Sequence, residues 1–151
     1  MTRSKFVFID DKDSLLLIVR AIGDMPGDVL ADNIIAAYRS VKAPWTYGRI
    51  IDLRRHTGYV SDGDRGRIAR AWAEITAGVE YHAHVAMLMH DPYERLRLPK
   101  ISNDFPKETI CLFSDYHEAV GWHLAADRDQ YLQGLGDCPI SRRHDQAIVV
   151  S

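Results

Sequence analysis

The sequence predicts a single-domain α/β protein in which helices flank a mixed β-sheet. Short runs rich in β-branched and aromatic residues alternate along the chain with longer segments whose apolar residues recur at helical spacing. The first two runs follow each other directly. We therefore expect an antiparallel N-terminal hairpin, followed by the parallel strands that a strand–helix alternation implies.

The hairpin consists of KFVFID (5–10) and SLLLIVRAIG (14–23), joined by the charged turn DKDS. A turn this short can only connect antiparallel neighbours. In the helix that follows, Asp24 or Asp28 is expected to cap the start and Pro44 to end it. Its apolar stripe comprises Leu30, Ile34, Tyr38 and Val41.

The third strand is predicted at TYGRIIDL (46–53), where the adjacent Ile50 and Ile51 suit a strand that is covered on both faces. Ser61 and Asp64 then have the S-x-x-D spacing of a capping box. The helix behind them carries Ile68, Trp72, Ile75 and Val79 at helical spacing, and Gly78 is expected to end it.

The remaining elements complete the sheet. HAHVAMLMH (82–90) and ETICLF (108–113) are predicted strands, separated by a proline-containing connection with at most a short helical turn. A last helix is expected from Ser114 or Asp115 to Gly134. The predicted domain is therefore 1–134, with 135–151 as a C-terminal extension whose AIVVS end adds an edge strand, makes a dimer contact or frays.

Composition excludes several classes of function. The 151 residues include 19 basic and 21 acidic ones, so no broad nucleic-acid or membrane-surface footprint is expected. No apolar run reaches the length of a membrane span, and no signal-peptide pattern is present. Cys111 is expected to be a small buried residue, and two cysteines without a secretory signal favour a reducing, cytoplasmic compartment.

The common cofactor motifs are absent. Neither the dinucleotide-binding glycine pattern, nor the phosphate-binding loop, nor the nucleophile elbow of hydrolases occurs, so no cofactor and no catalytic residue is predicted. His82 and His84 lie two apart on a predicted strand and should share a face. They supply only two of the three or four ligands that zinc needs, so no metal site is predicted.

Two regions are candidate sites. The first is an apolar ligand pocket, for which Trp72, Met87, Met89 and Trp122 are the candidate lining residues. Core packing is the favoured interpretation of the same residues, because an apolar pocket is hard to distinguish from core by sequence. The choice between pocket and core therefore stays open at this stage.

The second candidate lies at the carboxyl end of the third strand, where ligands gather in open parallel sheets. Asp52 marks this end, Arg54 and His56 follow in the loop, and Ser61 begins the next helix. A phosphate on Ser61 would sit at a positive helix end. Helix capping alone explains a serine here, and Asp62 and Asp64 would repel an added phosphate.

The element order, the strand RIIDL, the loop TGYVSDGD and the ending CLFSDYHEAVGWHL resemble the STAS-like family, relatives of the sporulation anti-sigma-factor antagonists. Phe113, Glu118, Ala119 and Trp122 match one branch of that family. The resemblance covers about residues 5–127 and implies a mixed sheet flanked by helices. It also implies that a partner kinase phosphorylates a serine at the start of the second helix, and Ser61 aligns with that serine. The family motif D-S-x-G reads V-S-D-G here.

The same branch is similar to the CRAL-TRIO lipid carriers, so the resemblance also implies an apolar ligand. Three functions follow. The first is a non-enzymatic regulatory module that binds a protein partner of the kinase or anti-sigma type. The second is a carrier or sensor of a small apolar ligand or lipid, and the third an enzyme of unrecognised type. We also expect a homodimer through the edge hairpin or the terminal AIVV.

Overall fold

The computed structural model describes residues 3–90, 98–133 and 149–150, and the side chains of 3–90 and 99–125. Within them, six strands form one sheet in chain order. The strands are β1 (Lys5–Asp11), β2 (Leu16–Gly23), β3 (Gly48–His56), β4 (Ala83–Leu88), β5 (Glu108–Phe113) and β6 (Val149–Val150). The helices are α1 (Gly27–Arg39), α2 (Asp62–Ile75), α3 (Leu98–Asp104) and α4 (Tyr116–Gln133), and Pro44–Thr46 forms a 3-10 turn.

The predicted mixed sheet is confirmed. β1 pairs antiparallel with β2, β2 to β5 are parallel neighbours, and β6 pairs antiparallel with β5. Each connection between two parallel strands leads to the next strand in the same direction across the sheet. Because such crossovers are right-handed, α1, α2 and α3 lie on one face. The helix after β5, α4, covers the opposite face.

Both faces of the central strands are buried, as the adjacent isoleucines predict. Ile50 is completely buried in the layer beneath α4, together with Leu88, Phe113 and Trp122. Ile51 packs into the opposite layer, beneath α1 to α3. All residues of β4 and β5 are buried.

Several helix boundaries differ from the prediction. α1 begins at Gly27 with Pro26 in the capping position, so neither Asp24 nor Asp28 caps it. α2 ends at Ile75, before Gly78, which adopts the left-handed conformation outside the helix. The irregular connection before β5 contains α3, whose start at Leu98 the prolines concealed.

The C-terminal segment is described only in part. The extension 135–151 lies outside the described residues except for Val149–Val150, which add an edge strand to β5, one of the three alternatives left open for AIVVS. Cys111 is fully buried, as expected, but it is disulfide-bonded rather than a free thiol. Cys138 lies outside the described residues. None of the helices described here is both long enough and apolar enough to cross a bilayer.

Candidate functional site

A cavity of about 620 Å³ lies between the sheet and the helices α1, α2 and α3. The rows of inward-facing side chains on β3, β4 and β5 form its floor. Strand register places Arg49 beside Val85, and Ile51 beside Met87. Side chains two residues apart on a strand share a face, so these rows alternate with those that support α4. The cavity volume lies within the range of about 300–1,000 Å³ that is typical of small-molecule sites.

Apolar helix stripes form most of the cavity wall. Leu30 and Ile34 of α1, Ile68 of α2, and Ile101 and Phe105 at α3 line the space. Each belongs to the layer of apolar side chains that buries its helix against the sheet. The helices therefore meet the sheet around the cavity and leave its centre unfilled.

The outer part of the cavity lies at the carboxyl ends of β3 and β4. The loop Thr57–Val60 and His90 line it there, and Thr57, Tyr59 and His90 are exposed. His56 Nε2 lies 2.8 Å from the carbonyl oxygen of Met25, which ties this loop to the segment before α1. The loop is thus both a wall of the cavity and the approach to α2.

A buried ion pair lines the opposite, inner part of the cavity. Arg49 at the start of β3 and Glu108 at the start of β5 face the same side of the sheet, and Arg49 Nη2 forms an ion pair with Glu108 Oε1. Their side chains are only 3% and 1% exposed. Within the described residues, Arg49 Nε has no hydrogen-bond acceptor. Such groups are rare in buried positions.

An aromatic cage surrounds the Arg49 guanidinium. Its central carbon lies 4.0 Å from the ring centre of Trp72, 5.2 Å from that of Tyr38 and 5.9 Å from that of Phe105. These faces stabilise the cation by their negative π-electron density. Trp72 Nε1 donates to the Tyr81 hydroxyl at 2.8 Å.

The hydrogen-bond chain continues to the other member of the ion pair. The Tyr81 hydroxyl lies 3.4 Å from Glu108 Oε1 and donates to it. Glu108 thereby contacts both Arg49 and Tyr81. Its orientation is therefore fixed by β3 and by the segment between α2 and β4.

Burial and charge act in opposite directions on this pair. Burial raises the pKa of Glu108, although Arg49 and Tyr81 oppose the shift. Burial acts to lower the pKa of Arg49, but Glu108, Tyr38 and Tyr81 together outweigh it, so that pKa is raised. A neutral Glu108 would leave the Arg49 cation buried without a counter-ion, which is strongly unfavourable. The pair is therefore ionised and has no net charge.

The four predicted pocket residues occupy three different environments. Met87 and Met89 line the cavity. Trp72 is 2% exposed and lies behind Arg49, as part of its cage. Trp122 lies on the other face of the sheet, in the layer beneath α4, and contacts the rings of Phe113 and His84.

The residues predicted for the switch loop also lie in different environments. Asp52 faces α4 and is 3% exposed. It accepts hydrogen bonds from Arg20 Nε at 3.2 Å and from Arg54 Nη2 at 2.8 Å. Burial acts to raise the pKa of Asp52, but the hydrogen bonds from Arg54 and Arg20 lower it overall. Arg54 also borders the cavity, as does His56.

Ser61 caps α2, and the predicted capping box is present. Ser61 Oγ accepts from the backbone N–H of Asp64 at 3.0 Å, and Asp64 Oδ2 accepts from the N–H of Ser61 at 3.0 Å. Two cations lie close to this helix end. Lys100 Nζ lies 2.6 Å from Asp62 Oδ2, and Arg65 also forms an ion pair with Asp62.

The histidines of the α4 face pack against one another and against Trp122. The rings of His82 and His84 lie 5.5 Å apart, and His82 Nε2 lies 2.8 Å from Thr109 Oγ1. Among the residues with described side chains, no three His, Cys, Asp or Glu are arranged to hold a metal ion. His123 Nε2 contacts the carbonyl oxygen of Arg49.

Comparison with solved structures finds the crystal structure of an uncharacterized protein of the DUF3478 family with a SpoIIAA-like fold, from Shewanella loihica PV-4. The two chains are 17% identical, the TM-score is 0.51, and the match covers 79% of this chain and 92% of the other. Neither the protein-family models nor the curated proteins match this chain. An identity this low shows the fold alone. The chain therefore has a SpoIIAA-like, that is STAS-like, fold.

Proposed function

We propose that this chain is a non-enzymatic module that binds a small, largely apolar molecule in the cavity beneath α1, α2 and α3. The observation that carries the proposal is the cavity of about 620 Å³, whose lining is mainly apolar. Protein interiors normally leave few voids larger than a water molecule. A space of this size at the carboxyl ends of parallel strands is where α/β folds bind ligands.

A carrier or sensor role fits this site better than catalysis does. Asp52 faces the other side of the sheet and is held by Arg20 and Arg54. The buried charges of the cavity, Arg49 and Glu108, neutralise each other. No nucleophile–base pair borders the cavity among the described residues.

Matched cavity-filling variants test the proposal. Val60 and Val120 are both half-buried, but only Val60 borders the cavity, whereas Val120 packs against the layer beneath α4. Binding of the uncharged dye Nile red, followed by fluorescence, should be lost in Val60→Trp and retained in Val120→Trp. Native mass spectrometry of the freshly purified protein should also show a bound species that Val60→Trp lacks.

Two results would contradict ligand binding. One is equal dye affinity in both variants, because the dye would then bind elsewhere. The other is a wild-type protein that carries no bound species and shows no thermal shift with any apolar probe. Circular dichroism of both variants serves to verify that they are folded.

A second candidate function is a regulatory interaction with a protein partner at the start of α2, which the SpoIIAA-like fold favours. Ser61 is half-buried beside Tyr59, whose side chain is 69% exposed. Arg65 and Lys100, which both form ion pairs with Asp62, lie at the same helix end. The partner would be of the kinase or anti-sigma type, and homodimerisation through the edge strand β1 belongs to the same proposal.

Ser61→Asp, which mimics the charge of a phosphate, tests this second function. Its binding to candidate partners should differ from that of the wild type by pull-down, whereas Ser114→Asp should bind as the wild type does. Unchanged binding of Ser61→Asp to every partner would rule out the switch.

A further inference from the structure

The inner part of the cavity contains a feature that a purely apolar ligand would not require. Arg49 and Glu108 are almost completely buried and line the space. Replacing such a pair by well-packed apolar residues is often neutral or stabilising. The pair is therefore not explained by stability, and its position points to recognition of part of a ligand.

The guanidinium retains donor capacity after its ion pair. Arginine carries five N–H donors and no acceptor. Nη2 contacts Glu108, the ring of Trp72 covers the guanidinium at 4.0 Å, and Nε has no acceptor within the described residues. An oxygen of a bound molecule would satisfy a donor that is otherwise unpartnered in a buried position.

The charge of the site determines which oxygen fits. Because Glu108 already neutralises Arg49, a carboxylate would add an uncompensated negative charge at a buried position. A ketone, ester, amide or alcohol oxygen accepts the same hydrogen bond and adds no charge. The cations near the outer part of the cavity are also engaged, since Arg54 pairs with Asp52 and Arg65 with Asp62.

We propose that the cavity selects uncharged amphipathic molecules, bound with a carbonyl or hydroxyl oxygen directed inward to Arg49 and an apolar chain extending along β3 and β4 towards the Thr57–Val60 loop. This proposal rests on the proposed ligand-binding function and specifies its ligand class. Arg49 supplies the hydrogen bond, and Glu108 determines selectivity by excluding anions.

Displacement of Nile red by three ten-carbon probes tests the end group. The probes are decan-2-one, decanoate and decane, used at neutral pH, where the acid is ionised. In the wild type, decan-2-one should bind at least about tenfold more tightly than decane, as expected for one hydrogen bond to a charged donor. Decanoate should bind more weakly than decan-2-one by a similar factor.

Two variants should change this order in opposite ways. Glu108→Gln leaves Arg49 without its counter-ion, so decanoate should become the tightest of the three probes. Arg49→Met removes the donor, so decan-2-one should lose its advantage over decane. The control is Glu74→Gln, which removes an exposed partner of Arg39 and should keep the wild-type order.

The outcomes separate this inference from the function on which it rests. If no probe displaces the dye or shifts the melting temperature, ligand binding itself fails, and the inference with it. If the probes bind but decanoate is tightest in the wild type, or the order is the same in every variant, only the end-group selectivity is overturned. Should Glu108→Gln not fold, the double variant Arg49→Met/Glu108→Gln replaces it. A preference for any end group in that variant would equally overturn the proposal.

Discussion

The imidazole Nε2 of His123 lies 2.8 Å from the backbone carbonyl oxygen of Arg49, so α4 is hydrogen-bonded to the strand that carries the buried ion pair. His123 is 4% exposed, and its ring contacts that of Trp122. The carbonyl can only accept, so Nε2 carries the proton. Gly48 leaves room for this ring, since an added Cβ there would lie 2.6 Å from His123 Nδ1.

The first prediction is a loss of stability in mild acid. Burial lowers the pKa of His123 from 6.5 to about 4, helped by the charges of His84 and Arg49. Between these two pH values the unfolded chain binds a proton that the folded chain does not. The stability that depends on a neutral His123 is therefore fully present above pH 6.5 and is lost as the pH falls towards about 4. It amounts to roughly 3 kcal/mol.

Urea unfolding across this pH range measures the effect. His123→Gln retains an N–H donor for Arg49 but does not titrate, so its free energy of unfolding should vary less with pH than that of the wild type. The exposed His117 provides the control, because His117→Gln should keep the wild-type dependence. Identical pH dependence in wild type and His123→Gln would show that another group is responsible.

The second prediction concerns the buried carboxylate of Asp52. Asp52→Asn should lower the free energy of unfolding by about 2 kcal/mol, because hydrogen bonds from Arg20 and Arg54 lose their charged acceptor. Asp32→Asn breaks an ion pair with Arg67 at an exposed position and should cost less than about 1 kcal/mol. Equal losses for both variants, measured by urea unfolding, would contradict a structural role for Asp52.

The third prediction separates capping from modification at Ser61. Ser61→Ala should lower the free energy of unfolding by about 1 kcal/mol, since the N–H of Asp64 loses its acceptor. Ser61→Asp should cost less, because aspartate is itself a good capping residue. Thermal unfolding measures both, with the exposed Ser114→Ala as a control that should resemble the wild type. A Ser61→Ala protein as stable as the wild type would argue against the cap.

The fourth prediction compares two glycines in the first turns of neighbouring helices. A Cβ at Gly27 would collide with the carbonyl oxygen of Tyr59 and lie 3.0 Å from Val60 Cα, whereas at Gly63 the nearest atom is Ser61 Oγ at 3.6 Å. Gly27→Ala should therefore lower the free energy of unfolding by about 1–3 kcal/mol. Gly63→Ala should stabilise the protein by about 0.5 kcal/mol.

Urea unfolding should show a lower free energy of unfolding for Gly27→Ala and a higher one for Gly63→Ala, because only Gly27 lies against the Thr57–Val60 loop. Gly27→Ala should also weaken Nile red binding, since this loop lines the cavity. If Gly27→Ala has the same free energy of unfolding as the wild type, the loop moves away from the added Cβ at little energetic cost, which contradicts this prediction.

The strands and their burial could be predicted from local pattern, because each core strand is short and apolar. Ile50 and Ile51 identify a strand covered on both faces, and both are packed there. The face that each helix covers could not be predicted. It depends on the direction of the crossovers, so the sequence predicts one pocket for Trp122 and Trp72 although the sheet separates them.

The sequence does not predict the buried ion pair, because arginine and glutamate are usually exposed. A signal was nevertheless present in the alternation. Arg49 shares its strand face with Ile51 and Leu53, and Glu108 shares its face with Ile110 and Leu112. A charged residue in phase with apolar ones on each of two strands indicates an internal pair. Their pairing across β4 requires the strand order, which only the structure supplies.

The chain-order sheet also has a consequence for folding. Each strand pairs with its predecessor in the chain, β1 to β2 and onward through β5. Since loop-closure entropy grows with the length of chain enclosed, every parallel pair closes the shortest loop available to it. We expect folding to be faster than in doubly wound sheets, where strands distant in the chain must meet. Stopped-flow refolding measures that rate.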